Sequence, residues 1–234
     1  MKYRNHIVLS LFALVAVAGC ASTNVTNRQQ VVTGQLPRPN EIWVYDFAAT
    51  AADVPAGSAF AGQAADASQT PEEIATGQRL GAEIASQLVQ QVQAMGMPAA
   101  RGGAGTTPQI NDLVIRGYLV SVQEGSAAER VAIGFGAGAS ELKTAVEGFQ
   151  MTAQGLRKLG SGSVDAGGGK SPGAALGVVG LIATANPAGL IISGGMKAYG
   201  EASGSSTVEG RAKATAKEIA DVLKERFEQQ GWIQ

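Results

Sequence analysis

The chain has 234 residues, with 18 Lys or Arg, 19 Asp or Glu, and a single His and a single Cys. A net charge of −1 without a basic cluster leaves no electrostatic footprint for nucleic acid. Glycine, at 32 residues, is near twice its usual share of about 7%, and aromatics are few, so the core must be built from Ala, Val, Ile and Leu.

The chain opens with Lys2 and Arg4, then an apolar run over residues 7–18, then Val17-Ala18-Gly19-Cys20. A charged start, a short apolar core and small residues at the cut make a secretory signal peptide. The apolar run would span about 18 Å as a helix, well short of the ~30 Å hydrocarbon core, so it reads as a cleaved signal and not as a membrane span. A cysteine directly after the cut resembles the lipobox of bacterial lipoproteins, although Val17 stands where that pattern usually has Leu. The resemblance implies cleavage after residue 19 and acylation of Cys20, which becomes the new N-terminus and a lipid attachment site.

Removing the first 19 of 234 residues leaves 215, with 16 basic against 19 acidic side chains, and takes away the only histidine, His6. Acylation occupies the only thiol. Ser-His-Asp and Cys-His catalysis and His- or Cys-ligated zinc then lack their residues, and an intrachain disulfide cannot form. No catalytic residue, cofactor site or metal site is expected, and the protein reads as not an enzyme.

Residues 21–39 are mostly Ser, Thr, Asn, Gln and Gly, end on Pro37-Arg38-Pro39, and read as a flexible tether after Cys20. Ala21, where aspartate would resemble an inner-membrane retention signal, directs the expected sorting to the outer membrane, with the domain facing the periplasm. Residues 41–47 are the first strand, and 48–70 a loose Ala- and Gly-rich loop. Thr70 and Glu73 have capping-box spacing, and Pro71 suits the first helical position. Leu80, Ile84, Leu88 and Val92, with Ala85 and Val89 beside them, form the stripe of an amphipathic helix that Gly96 and Pro98 end.

Residues 113–122 read as a long strand, and Val131-Ala132-Ile133 as a second apolar piece. The stretch 140–150 fits a helical face through Leu142, Ala145, Val146 and Phe149, or strand alternation through Leu142, Thr144 and Val146. Gln154-Gly155 followed by an apolar return to Val164 makes a hairpin the better account. Residues 171–196 carry no charge and hold two apolar, glycine-rich pieces split by Asn186-Pro187, each too short to span a bilayer. A closely packed helix pair, a self-association or membrane-contact surface, and a mobile segment all fit this stretch. From 211 to 230, Ala212, Ala216, Ile219, Leu223 and Phe227 line one face of a final helix. Lys217/Asp221 and Lys224/Glu228 are spaced for surface pairs, Gly231 ends the helix, and Trp232-Ile233 can add a short edge or a plug.

Two phosphate motifs are tempting. Gly134-x-Gly136 with Asp165 downstream has part of a dinucleotide fingerprint, but a turn needing positive φ explains the glycines. Gly169-Lys170-Ser171 lacks the first P-loop glycine, since residue 164 is Val, and Pro172 follows at once.

Arg130-Val131-Ala132-Ile133-Gly134-Phe135-Gly136-Ala137-Gly138-Ala139-Ser140-Glu141-Leu142 is similar to one family in particular, bacterial lipoproteins carrying the domain-of-unknown-function family 4410. That resemblance covers about residues 40–232 and implies a periplasm-facing lipoprotein without assigned activity.

The expected organisation is a signal peptide over 1–19, a lipidated tether over 20–39 and a single α+β domain over 40–234. The domain is expected to be a mixed sheet of about five strands packed by two long amphipathic helices. The expected function is a non-enzymatic structural or accessory component of an envelope assembly. Its partners would be membrane lipid through Cys20 and an envelope protein or second copy through residues 171–196. The alternatives are a periplasmic small-ligand or lipid binding module, with a pocket under the 134–138 turn, and a subunit of a secretion or pore complex.

Overall fold

The computed structural model describes residues 23–55, 58, 69–123, 140–167 and 207–234. Six strands form one mixed sheet: β1 (Thr23–Gln30), β2 (Ile42–Tyr45), β3 (Ala99–Gly102), β4 (Leu113–Gln123), β5 (Glu141–Thr152) and β6 (Gly155–Ala166). Two helices, α1 (Pro71–Ala94) and α2 (Val208–Gln229), and a 3-10 turn at Ala51–Asp53 complete the described chain. The order across the sheet is β1-β6-β5-β4-β2-β3, with β2 parallel to both β3 and β4 and the other neighbours antiparallel.

Local chemistry sets the helix ends. Thr70 Oγ1 accepts from the Glu73 amide at 3.2 Å while the Glu73 carboxylate accepts from the Thr70 amide at 2.7 Å, so the expected capping box closes α1, with Pro71 just inside it. Gly96 and Gly231, with φ of 78° and 71°, supply the left-handed residues just past the two helices. The expected stripes are the buried ones: Leu80, Ile84, Ala85, Leu88, Val89 and Val92 on α1, and Ala212, Ala216, Ile219 and Phe227 on α2, with Leu223 half-buried. Each fully buried Leu or Ile contributes about 1.5–3 kcal/mol against exposure.

Both helices pack on one face of the sheet. Ile42, Val44, Leu113, Ile115, Leu119, Leu142 and Val164 share that face and join the helix stripes in one core. Close approach is made at glycines: the Phe47 amide donates to the Gly81 carbonyl at 3.3 Å, and the Phe47 ring covers Gly117. Side chains of the opposite face, including Val114, Tyr118, Glu147 and Phe149, are buried as well.

The expected single mixed-sheet α+β domain with two helices is present, its sheet having six strands where about five were expected. Residues 23–30, read as part of a flexible tether on their polar composition, form β1 along β6. Its burial alternates from Thr23 to Asn27, but Val25 is its only strongly apolar residue, so the pattern is invisible to hydropathy. β3 was missed because four residues between Pro98 and a glycine turn carry no period. Trp232 and Ile233 form no strand: the Trp232 ring packs on Phe227 at 5.5 Å, making the plug. The 131–133 piece, the 134–138 turn and the 171–196 segment lie outside the described residues.

Candidate functional site: an apolar cavity beneath α2

The β5–β6 hairpin turns through Ala153-Gln154, with Gly155 at φ 106°, and its strands run antiparallel from Thr152–Gly155 to Leu142–Ala166. On the helix-facing side the register sets Gly148 beside Gly160, and Val146 beside Gly162. Side chains are therefore missing from the sheet where α2 crosses it. A Cβ on Gly148 would meet nothing within 4 Å, and one on Gly162 only ordinary contacts, Val25 Cγ1 at 3.6 Å and the Thr26 carbonyl oxygen at 3.8 Å. Gly160 differs, since a Cβ there would lie 2.5 Å from the Gln29 carbonyl of β1.

The space left is a cavity of about 200 Å³ between the β1–β6–β5 half of the sheet and the C-terminal half of α2. Val25, Val146, Leu159 and Val164 form its sheet side, Ile219, Leu223 and Phe227 its helix side. Trp232 and Leu36 border it where α2 ends, joined by a hydrogen bond from Trp232 Nε1 to the Leu36 carbonyl at 3.2 Å. Polar groups gather at its border. Arg28 pairs with Glu225 at 2.9 Å, Arg226 donates to Gln229 at 2.8 Å, and Gln230 accepts from the Leu36 amide at 2.6 Å. Among the described lining residues there is no carboxylate, imidazole, thiol, phenol or amine, and the one hydroxyl, on Ser161, has no base in the lining to activate it. Chemically the cavity can hold hydrocarbon and offer guanidinium to an anionic end.

A second constellation lies on the opposite face. Glu147, fully buried, accepts through Oε2 from the hydroxyls of Ser58 and Tyr118, each at 2.8 Å, and through Oε1 from Lys158 Nζ at 2.7 Å. Burial pushes the Tyr118 phenol well above its ordinary range and the Glu147 charge adds to it, against opposing effects of Ser58 and Arg116. A phenol held so firmly protonated is poorly suited to act as a base. Arg116, cross-strand from Glu147, lies between the rings of Tyr45 and Phe149 at 5.6 and 5.7 Å. These groups fasten β4, β5 and β6 together.

Asp165, the distant carboxylate of the dinucleotide pattern, sits within β6 opposite Lys143 and Asn24. Burial raises its carboxyl, Lys143 opposes that, and Glu141 adds to it. Cys20, Gly134 and Gly136 lie outside the described residues. Among the described residues, no cluster of three or more His, Cys, Asp or Glu could hold a metal ion. Sequence reasoning missed the cavity. Its signal is the pair Gly148 and Gly162 on the same face of a hairpin as Val146 and Val164.

The model of the family described as a domain of unknown function, DUF4410, matches residues 42–185. The chain belongs to this family. No curated protein matches the chain. Two solved PelC dodecamers from Paraburkholderia phytofirmans are similar to it. One, a variant in space group C2, is 11% identical, covers 85% of this chain and 96% of its own, and has a TM-score of 0.39. The other, in space group P6, is 12% identical, covers 73% and 97%, and has a TM-score of 0.35. Likenesses of that size carry no functional argument. The family match ends before α2 and begins after β1, so this DUF4410 member encloses its cavity partly with chain outside the matched segment.

Proposed function

We propose that this DUF4410 protein is an outer-membrane lipoprotein, acylated at Cys20, whose periplasmic domain does non-enzymatic work by binding a small apolar or amphiphilic molecule beneath α2. The cavity carries this reading. Apolar cavities of about 150 Å³ stay dry and accept benzene-sized molecules, so about 200 Å³ accommodates a ring or a short alkyl chain. Each methylene buried there contributes about 0.8 kcal/mol. Arg28 and Arg226 at the border favour a ligand with an anionic end.

The test is titration of the mature protein with the apolar fluorophore N-phenyl-1-naphthylamine, followed by competition with dodecanoate. Saturable binding, competed by dodecanoate and lost in Gly148→Leu with the fold retained, is the expected result. Absence of binding, or equal binding by the variant, would sink the proposal.

A second reading, an accessory component of an envelope assembly, is supported by the 26 consecutive uncharged residues of 171–196. In-cell cross-linking from that segment tests it. Capture of neither an envelope protein nor a second copy would count against it.

A further inference from the structure

Four strand ends form one row across the sheet. Thr23 opens β1 opposite Ala166, the last residue of β6; Ala166 is paired with Leu142 of β5; and Glu141, which opens β5, is paired with Gln123, which ends β4. The start of α2 lies at this end too, because buried Arg211 donates through Nε to the Ser140 carbonyl at 3.0 Å.

Three stretches of chain are rooted on that row. Cys20 precedes Thr23 by three residues, a covalent reach of at most about 11 Å. Residues 124–139, which hold the apolar Val131-to-Ala139 sequence, leave from Gln123 and return at Ser140. Residues 168–206, which hold the uncharged run, leave after Ala166 and return at Thr207, the N-cap of α2. The opposite end carries the Ala153-Gln154 turn and the last turn of α2. It lies about 36–40 Å away along the 12-residue strands of the hairpin.

We infer that the domain stands end-on to the bilayer, with the Thr23–Ala166–Leu142 row against the lipid surface and the Gln154 turn pointing away. This rests on the acylation of Cys20 proposed above. A cleaved and acylated chain has no slack with which to choose another face, because the strand begins where a tether was expected. Charge near the row is close to balanced: Lys143 pairs with Glu141 at 2.6 Å, and Asp165 is partly buried. Among the described residues at this end, no basic patch is present to draw in anionic lipid. The border of the cavity formed by Gln30, Gln230 and Trp232 lies towards the other end, facing the aqueous side.

The experiment uses the mature chain reconstituted through its N-terminal lipid into vesicles of phosphatidylethanolamine and phosphatidylglycerol containing headgroup spin-labelled lipid. A single fluorophore is attached at Asn24→Cys or Gln154→Cys, both exposed positions, with circular dichroism confirming the fold. The fluorophore at residue 24 should be quenched at least threefold more than the one at residue 154. Equal quenching, or stronger quenching at 154, in protein whose N-terminal peptide has the mass of an acylated Cys20 overturns the orientation and leaves the acylation standing. An unmodified Cys20 overturns both.

Discussion

The Tyr118 hydroxyl reaches across from β4 to donate to Glu147 Oε2 on β5 at 2.8 Å, inside a region where both side chains are fully buried. Three donors on one carboxylate make this node sensitive to the loss of any one. Tyr118→Phe removes one neutral donor and should cost about 1–2 kcal/mol in urea unfolding. Lys158→Met removes the cation and should cost more, about 2–3 kcal/mol, less than a fully buried pair because the Lys158 side chain is 32% exposed. A smaller loss for Lys158→Met than for Tyr118→Phe would show that the ion pair is not the stronger partner.

Gly81 is the point where α1 touches the chain leaving β2. A Cβ there would stand 2.2 Å from the Phe47 carbonyl oxygen, backbone against backbone, so only a shift of the helix could relieve it. Gly81→Ala should therefore destabilise by about 2–3 kcal/mol. Gly148→Ala, with open space around the new methyl, should stay within about 0.5 kcal/mol of the parent. Paired denaturation curves check the contrast.

Glu209, in the first turn of α2, pairs with Arg79 of α1 at 2.8 Å. Burial alone would raise its carboxyl, but the backbone hydrogen bond, Arg79 and Thr207 outweigh burial and hold it below the ordinary 4.5. A lowered folded value means stability present above pH 4.5 and lost as pH falls through that lower value. Glu209→Gln should thus lower stability at pH 7 by about 0.3–1 kcal/mol, the range for exposed charges at a helix N-terminus. The two proteins should converge at low pH in a series of thermal melts.

Trp232 borders the cavity, whereas Trp43 is held elsewhere by a 2.9 Å hydrogen bond to Asp112. In a Trp43→Phe background, intrinsic fluorescence should respond to dodecanoate, and Gly148→Leu should abolish the response. Trp232→Ala should cost about 3 kcal/mol through lost packing on Phe227. It should also weaken binding of the naphthylamine probe, as read by titration.

Elements with a strong period were legible before any coordinates. The α1 stripe, its Thr70–Glu73 box, the α2 stripe and the β5–β6 hairpin all announce themselves through spacing. Lys217–Asp221 and Lys224–Glu228 do form, at 2.6 and 3.8 Å. What escaped was built by pairing, not by pattern. β1 owes its place to hydrogen bonds with β6, with Val25 its one apolar side chain and Arg28 paired to Glu225 of α2, and β3 is a four-residue edge beside β2. The Glu147 node joins Ser58, Tyr118 and Lys158 from three distant parts of the chain. The cavity is legible only as a lack, two glycines on the core face of a hairpin that a helix must cross.

Because β1 begins at Thr23 and runs antiparallel to β6, any tension entering through the chain before it acts along the strand axis. The ladder hydrogen bonds lie across that axis, so they would be loaded together in shear and not peeled one after another. The bulge between Thr26 and Gln29, with Asn27 at φ 52°, interrupts the ladder midway and divides the load between two short blocks. Seen this way, the eight residues of β1, seven of them polar, are a mechanical fastening, strongest in the direction in which an N-terminal anchor would pull.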